Sequence, residues 1–420
     1  MGKKNTKTKT SEGVELKIVP DTREQVREGL LQSAIALGLE EIASILEDER
    51  AEFCGPRHAR SPERTAVRNG TAPGELVLGG RRVSMRRPRA RTRDGEEVML
   101  PSWEHFADED VLHERAMEQM LVGVSTRKYG RSLEPVGESV ETRGTSRSAV
   151  SRRFVAGTAK RLTALLERRL DGIQFVALMI DGIVLEDHTI LVALGIDSDG
   201  KKHPLGLREG ATENSTSCKE LLADLIDRGL AADRALLVVI DGAKALRKAV
   251  TEVFGNRALV QRCQEHKMRN VTDQLPDDMR KTVRRAMQDA YRTRDVGRAK
   301  KLLTNLQRSL EAHHPGAASS LAEGLDETLT IIAFDLPELL ERTLATTNPI
   351  ENLMGTVRRV SRNVKRWRDG QMMLRWVAAG LLEGERTFRR VKGHKGIPRL
   401  LAALREQEIR IGVAVEHGVA

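Results

Sequence analysis

The sequence predicts an α/β core built on a mixed sheet flanked by helices, with an all-helical insertion and a preceding N-terminal α+β region. Residues 174–263 alternate short apolar runs with amphipathic helical stretches, which is typical of strands and helices layered in one domain. Residues 276–344 are highly charged and carry apolar residues at helical spacing, which indicates helices without strands. Residues 56–95 are rich in arginine and hold a Gly-Gly turn between short apolar runs, which indicates a β-hairpin.

The composition limits the class of protein. The chain has 420 residues, enough for roughly two to four domains. Its aliphatic content excludes wholesale disorder, and three scattered cysteines exclude a disulfide scaffold. There is no apolar run long enough for a membrane span and no apolar segment typical of a secretory signal. With 70 Lys and Arg against 60 Asp and Glu, the net charge of +10 favours a polyanionic partner, most commonly nucleic acid, and no membrane. We therefore expect a cytoplasmic protein that needs no small-molecule cofactor.

The first 103 residues divide into a tail and a helix-and-hairpin region. Residues 1–13 are polar and basic, and we expect them to be disordered. Within residues 14–103 the pattern predicts a helix over 21–53, which Gly38 could break. The apolar side chains that give this helical period are Leu30, Leu31, Ile35, Leu37, Leu39, Ile42 and Ile45.

The arginine-rich hairpin is predicted over 76–83, with its turn at Gly79 and Gly80. Arginines on a hairpin suit contacts with nucleic-acid phosphates, although they could equally be solvated. The candidate contacts are Arg81, Arg82, Arg86 and Arg87.

Residues 104–170 are predicted to be helical and divided by glycine and proline. Thr145 or Ser146 is a suitable N-cap for a helix whose first turns carry Arg147 and Arg152. A short helix, a turn and a capped helix resemble a helix-turn-helix DNA-binding region. An ordinary helical linker gives the same pattern.

The next three regions are predicted to be the first part of the core over 171–271, a helical insertion over 272–344, and two helices with a C-terminal tail over 345–420. In the core, strands are expected over 175–180, 190–196, 202–207 and 235–240 and from 258, with helices over 215–230 and 243–254. In the insertion, one apolar stripe is predicted from Leu302, Leu303, Leu306 and Leu310.

Two of the predicted strands end in the dipeptide Asp-Gly, at Asp181 and at Asp241. A carboxylate at the end of a buried strand projects into the crevice where open α/β sheets bind ligands. A third acid, Glu351, begins a helix, and three carboxylates could hold two Mg²⁺ or Mn²⁺ ions that polarise a phosphate. The alternative is that both aspartates are simply turn residues.

A basic segment follows Glu351 and is predicted to continue as a helix. Its position behind an acid suits a nucleic-acid backbone beside an active site, while a solvated helix with Trp367 in the core is the alternative. The candidate contacts are Arg358, Arg359, Arg362, Lys365, Arg366 and Trp367.

These motifs together resemble the Mutator type of bacterial insertion-sequence transposase. The matching segments are Asp181 within Leu-Met-Ile-Asp-Gly-Ile, Asp241 within Val-Val-Ile-Asp-Gly, residues 261–270 and residues 346–352. Residues 68–70 and 123–127 add to the resemblance, which covers residues 60 to 390 in the family's order.

The resemblance implies a ribonuclease H-like catalytic domain of the DDE type, in which Asp181, Asp241 and Glu351 bind Mg²⁺ or Mn²⁺. It implies strand cleavage at transposon ends and transfer of the freed 3′ ends to target DNA. The partners would be the terminal inverted repeats and the target, the assembly would be a homodimer or larger, and the protein would associate with the nucleoid.

Cys263 and His266, spaced as Cys-x-x-His, match a family signature. We expect both at the active site, with His266 contacting the scissile phosphate or orienting a ligand, or else a buried structural imidazole. A zinc site would need a second pair, for which Cys54 and His58 are the candidates.

Two other functions stay open. A transposase-derived DNA-binding regulator would lack catalysis, although all three acids are present. A ribonuclease H-like nuclease or resolvase would share the acids but would not join DNA. A tyrosine recombinase does not fit, because Tyr291 lies in a charged helix and that mechanism uses no acidic pair.

Overall fold

The computed structural model describes residues 19–58, 64–108, 110–134, 136 and 140–412, so the predicted tail lies outside the described residues. The chain forms two compact units. The N-terminal unit holds residues 1–120 and 124–154, and the C-terminal unit holds residues 121–123 and 155–420. None of the helices in the described ranges is long and apolar enough to cross a membrane.

The N-terminal unit begins with helix α1 (Val19–Cys54), which confirms the predicted helix and continues through Gly38. The predicted apolar face is buried only in part. Ile42 and Leu46 pack in the core of this unit, whereas Leu30 and Leu37 are exposed.

The predicted hairpin is confirmed and is longer than expected. Strand β1 (Ala66–Leu78) pairs with β2 (Arg81–Thr92), and Leu78 lies opposite Arg81. Gly79 and Gly80 both have positive φ, as a two-residue hairpin turn requires. Two short strands, β3 (Glu97–Val98) and β4 (Thr142–Arg143), also pair with β2.

Three helices complete the predicted helical region: α2 (Pro101–Ala107), α3 (Asp110–Leu121) and α4 (Arg147–Leu166). Ser146 is the cap of α4, because its Oγ accepts a hydrogen bond from the Ala149 N–H at 3.3 Å. A 3₁₀ turn at Tyr129–Ser132 and strand β4 lie between α3 and α4. The connection is therefore longer than the tight turn of a helix-turn-helix.

The C-terminal unit is built on a five-stranded mixed sheet, and all five predicted strands are confirmed. The strand order is β7-β6-β5-β8-β9, in which β6 and β7 are antiparallel to their neighbours and β8 and β9 run parallel to β5. The strands are β5 (Phe175–Leu185), β6 (His188–Asp197), β7 (Lys202–Glu209), β8 (Leu236–Ile240) and β9 (Ala258–Arg262).

Helices cover both faces of this sheet. Because side chains alternate along a strand, Leu178 and Ile180 of β5 face one core with α5 (Ser215–Asp227) and α6 (Lys244–Phe254). Met179 and Ile183 face the larger core on the other side. The remaining helices are α7 (Gln264–Thr272), α8 (Asp277–Tyr291), α9 (Val296–Glu311), α10 (Pro315–Ala322), α11 (Glu338–Leu344), α12 (Asn348–Ser361), α13 (Gly370–Arg386) and α14 (Ile397–Arg410).

The helical insertion is confirmed as α8 to α11 with short 3₁₀ turns, but its predicted stripe includes one wrong residue. Leu303 and Leu310 are buried, whereas Leu302 is 41% exposed. Leu302 precedes Leu303 by one residue, which turns it by about 100° around the helix. Helix α14 lies in the region predicted to be a tail and was not foreseen.

The predicted basic helix after Glu351 is wrong beyond Ser361. Helix α12 ends there, and residues 362–369 connect it to α13 without a helix. Asp369 begins α13, since its Oδ1 accepts a hydrogen bond from the Met372 N–H at 2.6 Å. Residues 362–368 contain no proline or glycine, but the side-chain cap at Asp369 begins a new helix and separates α13 from α12.

Candidate active site

The sheet register places the two aspartates side by side. The last parallel pair of β5 and β8 is Ile180 with Ile240, so Asp181 and Asp241 occupy the next position on neighbouring strands. Both follow isoleucines that face the smaller core, so alternation turns both carboxylates to the opposite face, that of the larger core, to which α12 contributes. Cys263 occupies the equivalent position after β9, whose last pair joins Ile240 to Arg262.

The two Asp-Gly dipeptides differ in structure. Asp181 does not end its strand, because β5 continues to Leu185 in a hairpin with β6. Asp241 does leave β8, and Gly242 adopts a φ of +107°. The turn interpretation therefore holds for one aspartate and is wrong for Asp181, whose Oδ1 accepts from the Gly182 N–H at 2.8 Å.

Glu351 lies in the first turn of α12 and is held by Thr347, four residues earlier. The Thr347 hydroxyl donates to Glu351 Oε1 at 2.8 Å. The same hydroxyl oxygen is 3.3 Å from His266 Nδ1 and 3.4 Å from Cys263 Sγ. Thr347 is fully buried, so these contacts are shielded from water.

The acids of the site influence one another electrostatically. Burial, followed by the charges of Asp241 and Glu351, raises the pKa of Asp181 to about 6, against a hydrogen bond from Gly182 that lowers it. The charge of His266 opposes this shift. The charges of Asp241, His266 and Glu351 therefore all act on the Asp181 carboxylate.

Cys263 and His266 lie close to Glu351. The hydrogen bond to Cys263 raises the pKa of His266 to about 9, and Asp181 and Glu351 add to the rise. Burial raises the pKa of the Cys263 thiol, but hydrogen bonds from His266 and Thr347 outweigh it and leave this pKa below its ordinary value. His266 Nε2 lies 3.8 Å from Glu351 Oε1, and the His266 side chain is 21% exposed, so the imidazole is not fully buried.

The two-pair zinc site does not form. Within the described part of the chain, one group of potential ligands has all its atoms within 4.8 Å of one another, and it consists of Cys263, His266 and Glu351. Cys54 and His58 belong to no such group. Asp181 and Asp241 also lie outside this group.

Two residues of the site were missed by sequence reasoning. Thr347 belongs to the motif at 346–352, but nothing in the sequence shows that its hydroxyl reaches Cys263 and His266. Arg262 donates to the carbonyl of Gly242 and, at 2.8 Å, to that of Glu323, which ties the Asp241 turn to the end of α10. Its position directly before Cys263 was the available signal.

The hairpin arginines are largely engaged within the N-terminal unit. Arg81 is buried and donates to the carbonyl of Glu134, so the prediction that it contacts DNA is not supported by its position. Arg82 pairs with Glu75 at 3.1 Å, and Arg87 pairs with Glu97 at 2.7 Å. Arg86 is exposed, and its Nε donates to Thr71 Oγ1 at 2.9 Å.

The other candidate DNA contacts are exposed, except for Trp367. Arg147 and Arg152 are exposed on the first turns of α4. Trp367 is half-buried against the larger core of the C-terminal unit. The exposed cations near it are Arg358, Arg359, Arg362, Lys365 and Arg366.

Comparison with known proteins shows what the chain is similar to. The family model described as "Transposase, Mutator family" matches residues 6–390. The chain belongs to this family. Membership supports a transposase function, that of a DNA-processing enzyme, and agrees with the resemblance seen in the sequence.

Individual family members match over much of their length. The chain is 29% identical over 350 residues to the transposase for insertion sequence element ISRM5 of Rhizobium meliloti (strain 1021), covering 81% of this chain and 84% of that protein. It is 31% identical over 245 residues to the transposase for IS6120 of Mycolicibacterium smegmatis, covering 57% and 73%. It is 25% identical over 355 residues to the transposase for IS256 in transposon Tn4001 of Staphylococcus aureus, covering 81% and 86%.

Proposed function

We propose that this family member is a DDE transposase that cleaves DNA at transposon ends and joins the freed 3′ ends to target DNA. The observation that carries the proposal is the register that sets Asp181 and Asp241 side by side, facing the helix that bears Glu351. Three antiparallel strands followed by two parallel strands, with helices on both faces, support the ribonuclease H-like fold that the family resemblance implies.

The chemistry of the three carboxylates suits two Mg²⁺ or Mn²⁺ ions. Asp241 and Glu351 help to raise the pKa of Asp181, and this like-charge repulsion is what divalent cations relieve. Hard cations prefer carboxylate oxygens, whereas the thiol of Cys263 is a soft ligand that suits neither ion. Asp181, Asp241 and Glu351 would hold the ions. When bound, the ions supply the positive charge that polarises a phosphate and activates the attacking oxygen.

The reaction needs no other co-reactant than water. In cleavage, a water oxygen forms a bond to phosphorus and loses a proton, the P–O3′ bond breaks, and the departing O3′ takes up a proton to become a 3′-hydroxyl. In joining, this 3′-hydroxyl attacks a phosphorus of the target and loses its proton, one P–O3′ bond of the target breaks, and the departing target O3′ takes up a proton. His266, whose pKa is about 9, is protonated at neutral pH and can donate to a phosphate oxygen during both steps.

The assembly and the DNA partners follow from this chemistry. Two transposon ends must be joined in one event, so we propose that the protein acts as a homodimer or larger assembly on terminal inverted repeats and target DNA. The exposed cations at residues 358–366 would contact the phosphate backbone next to the site.

The test uses the purified protein and a labelled DNA fragment that carries the ends of the element encoding it. We expect strand cleavage with Mg²⁺ or Mn²⁺, which Asp241→Ala abolishes while DNA affinity stays within a few-fold. Asp199→Ala is the matched control, because Asp199 is an exposed acid of the same unit whose partner is Lys201. A protein that binds this DNA without cleaving it would be a regulator, and one that cleaves without joining would be a nuclease or resolvase.

A further inference from the structure

A basic pocket lies beside the first turn of α12. It has a volume of about 570 Å³ and is formed by the start of β7, the end of α11, the first turn of α12 and the segment after α13. Five cationic side chains line it, and no carboxylate does: Lys202, Arg342, Arg389, Arg390 and Lys392.

The charges of this pocket are not neutralised by the protein. Arg389, Arg390 and Lys392 are exposed, and their side chains make no ion pair or hydrogen bond with any residue that the structure describes. Arg342 has one distant carboxylate neighbour, Glu338, at 3.9 Å. Such a concentration of one charge is unfavourable for folding and favours an anionic ligand.

Lys202 supports an anionic ligand because its ammonium group is half-buried. Burial lowers its pKa, and its Nζ lies 4.4 Å from the centre of the Phe388 ring with no acid beside it. Placing a cation in a half-buried position without a counter-charge has a free-energy cost. An anion in the pocket would offset that cost.

The pocket is adjacent to the catalytic centre. Asn348 and Asn352 line it, and Asn352 directly follows Glu351 in the first turns of α12. Successive residues of a helix are turned by about 100°, so the acid and the asparagines occupy neighbouring faces of the same helix. The two amides are exposed, and Asn348 is the first residue of α12, at the positive end of the helix dipole.

We propose that this pocket binds the phosphodiester backbone of DNA as it leaves the catalytic centre, through the cations at 389–392 with Lys202 and Arg342. This inference rests on the proposed function and adds a second DNA surface to the residues at 358–366. The pocket is much larger than one phosphate group and is open to solvent, as a continuous strand requires. Arginine, lysine and asparagine contacts of this kind read the backbone and not the base sequence.

The test measures the salt dependence of binding to a fluorescein-labelled 40-base-pair duplex of arbitrary sequence. The variant carries Arg389→Gln, Arg390→Gln and Lys392→Gln together. Each phosphate contact contributes about 0.9 to the slope of log K against log salt, so we expect the slope to fall by about 2 to 3. Each single substitution should lower it by about 0.9, which keeps the test informative if the triple variant does not fold.

The matched control removes the same charge elsewhere in the C-terminal unit. Lys281→Gln, Lys301→Gln and Arg308→Gln neutralise three exposed cations of α8 and α9, and we expect the wild-type slope. An unchanged slope in the pocket variant, or an equal fall in the control, would overturn the inference. If wild-type protein still cleaves its own ends in that case, the pocket inference fails alone. Absence of wild-type cleavage would instead contradict the proposed function.

Discussion

Thr347 holds the third acid of the site in place. Its buried hydroxyl donates to Glu351 and also reaches the Cys263 and His266 pair. Thr347→Val keeps the shape of the side chain and removes the donor. A hydrogen bond to a charged group contributes about 1.5–3 kcal/mol, so we expect the single-turnover cleavage rate to fall about 10- to 100-fold.

The serine variant separates positioning from packing. Thr347→Ser keeps the hydroxyl and loses one methyl group, so it should cleave much faster than Thr347→Val although it is less stable. Melting curves of both variants check that the fold is retained. Wild-type cleavage by Thr347→Val would show that this hydroxyl does not position Glu351.

Asp181 makes the stability of the metal-free protein depend on pH. Its pKa is about 6 in the folded chain and near 3.8 in the unfolded chain. The folded state therefore binds more protons between these values, and the free energy of unfolding falls as pH rises from about 4 to 6. Above that range the ionised carboxylate costs on the order of 3 kcal/mol.

The corresponding variant is Asp181→Asn, which removes the charge. In urea denaturation without metal we expect the variant to be more stable than wild type near pH 7.5, and the two to be equally stable below about pH 3.8. A variant that is less stable than wild type near pH 7.5 would contradict the raised pKa.

The residues of the site were predictable to different degrees. Asp181 and Asp241 could be found because each follows a buried apolar run, and Glu351 because it begins a helix in a recognisable motif. Thr347 could not be assigned a role, since its partners lie more than eighty residues away in the chain. Arg81 was predicted to contact DNA because it lies in an arginine-rich hairpin. Its burial depends on tertiary packing, which the local sequence does not reveal.

At the scale of elements, the two glycines of the hairpin turn allow a matched comparison of alanine substitutions. Gly79 and Gly80 both have positive φ, but a Cβ on Gly79 would meet no atom within 4 Å. A Cβ on Gly80 would lie 2.9 Å from Tyr129 Oη, and this hydroxyl donates to the Gly80 carbonyl. The two positions therefore share the backbone strain and differ in packing.

We expect Gly80→Ala to lower the free energy of unfolding by about 1–3 kcal/mol more than Gly79→Ala does, because it adds overpacking to the same strain. Urea denaturation of the two variants measures the difference. Equal destabilisation would show that Tyr129 does not pack against this turn.

Strands were predicted better than helix ends. The core strands are short continuous apolar runs, a pattern typical of buried strands, so β5 to β9 could be predicted from the sequence. The break after Ser361 was missed because it depends on a capping side chain at Asp369, within a run that otherwise suits a helix. Helix α14 was missed although Ile397, Leu400 and Leu404 give it a buried face of helical period.

At the scale of the whole molecule, the structure shows where the residues behind the net charge of +10 lie. Hairpin arginines such as Arg82 and Arg87 pair with acids and contribute little free charge. In the C-terminal unit, two groups of exposed cations lie at the two ends of the helix that carries Glu351. Residues 358–366 cover its last turn and the segment after it, and the pocket at 389–392 lies beside its first turn.

The central claim is that Asp181, Asp241 and Glu351 form a divalent-metal site. Isothermal titration calorimetry, with Mn²⁺ titrated into the purified protein, tests this claim most directly. We expect Mn²⁺ binding by wild type, by Asp199→Asn and by Cys263→Ser, and its loss or severe weakening in Asp181→Asn, Asp241→Asn and Glu351→Gln. Undiminished binding in Asp241→Asn, together with loss in Cys263→Ser, would place the metal on the thiol and imidazole side of the site and contradict the account.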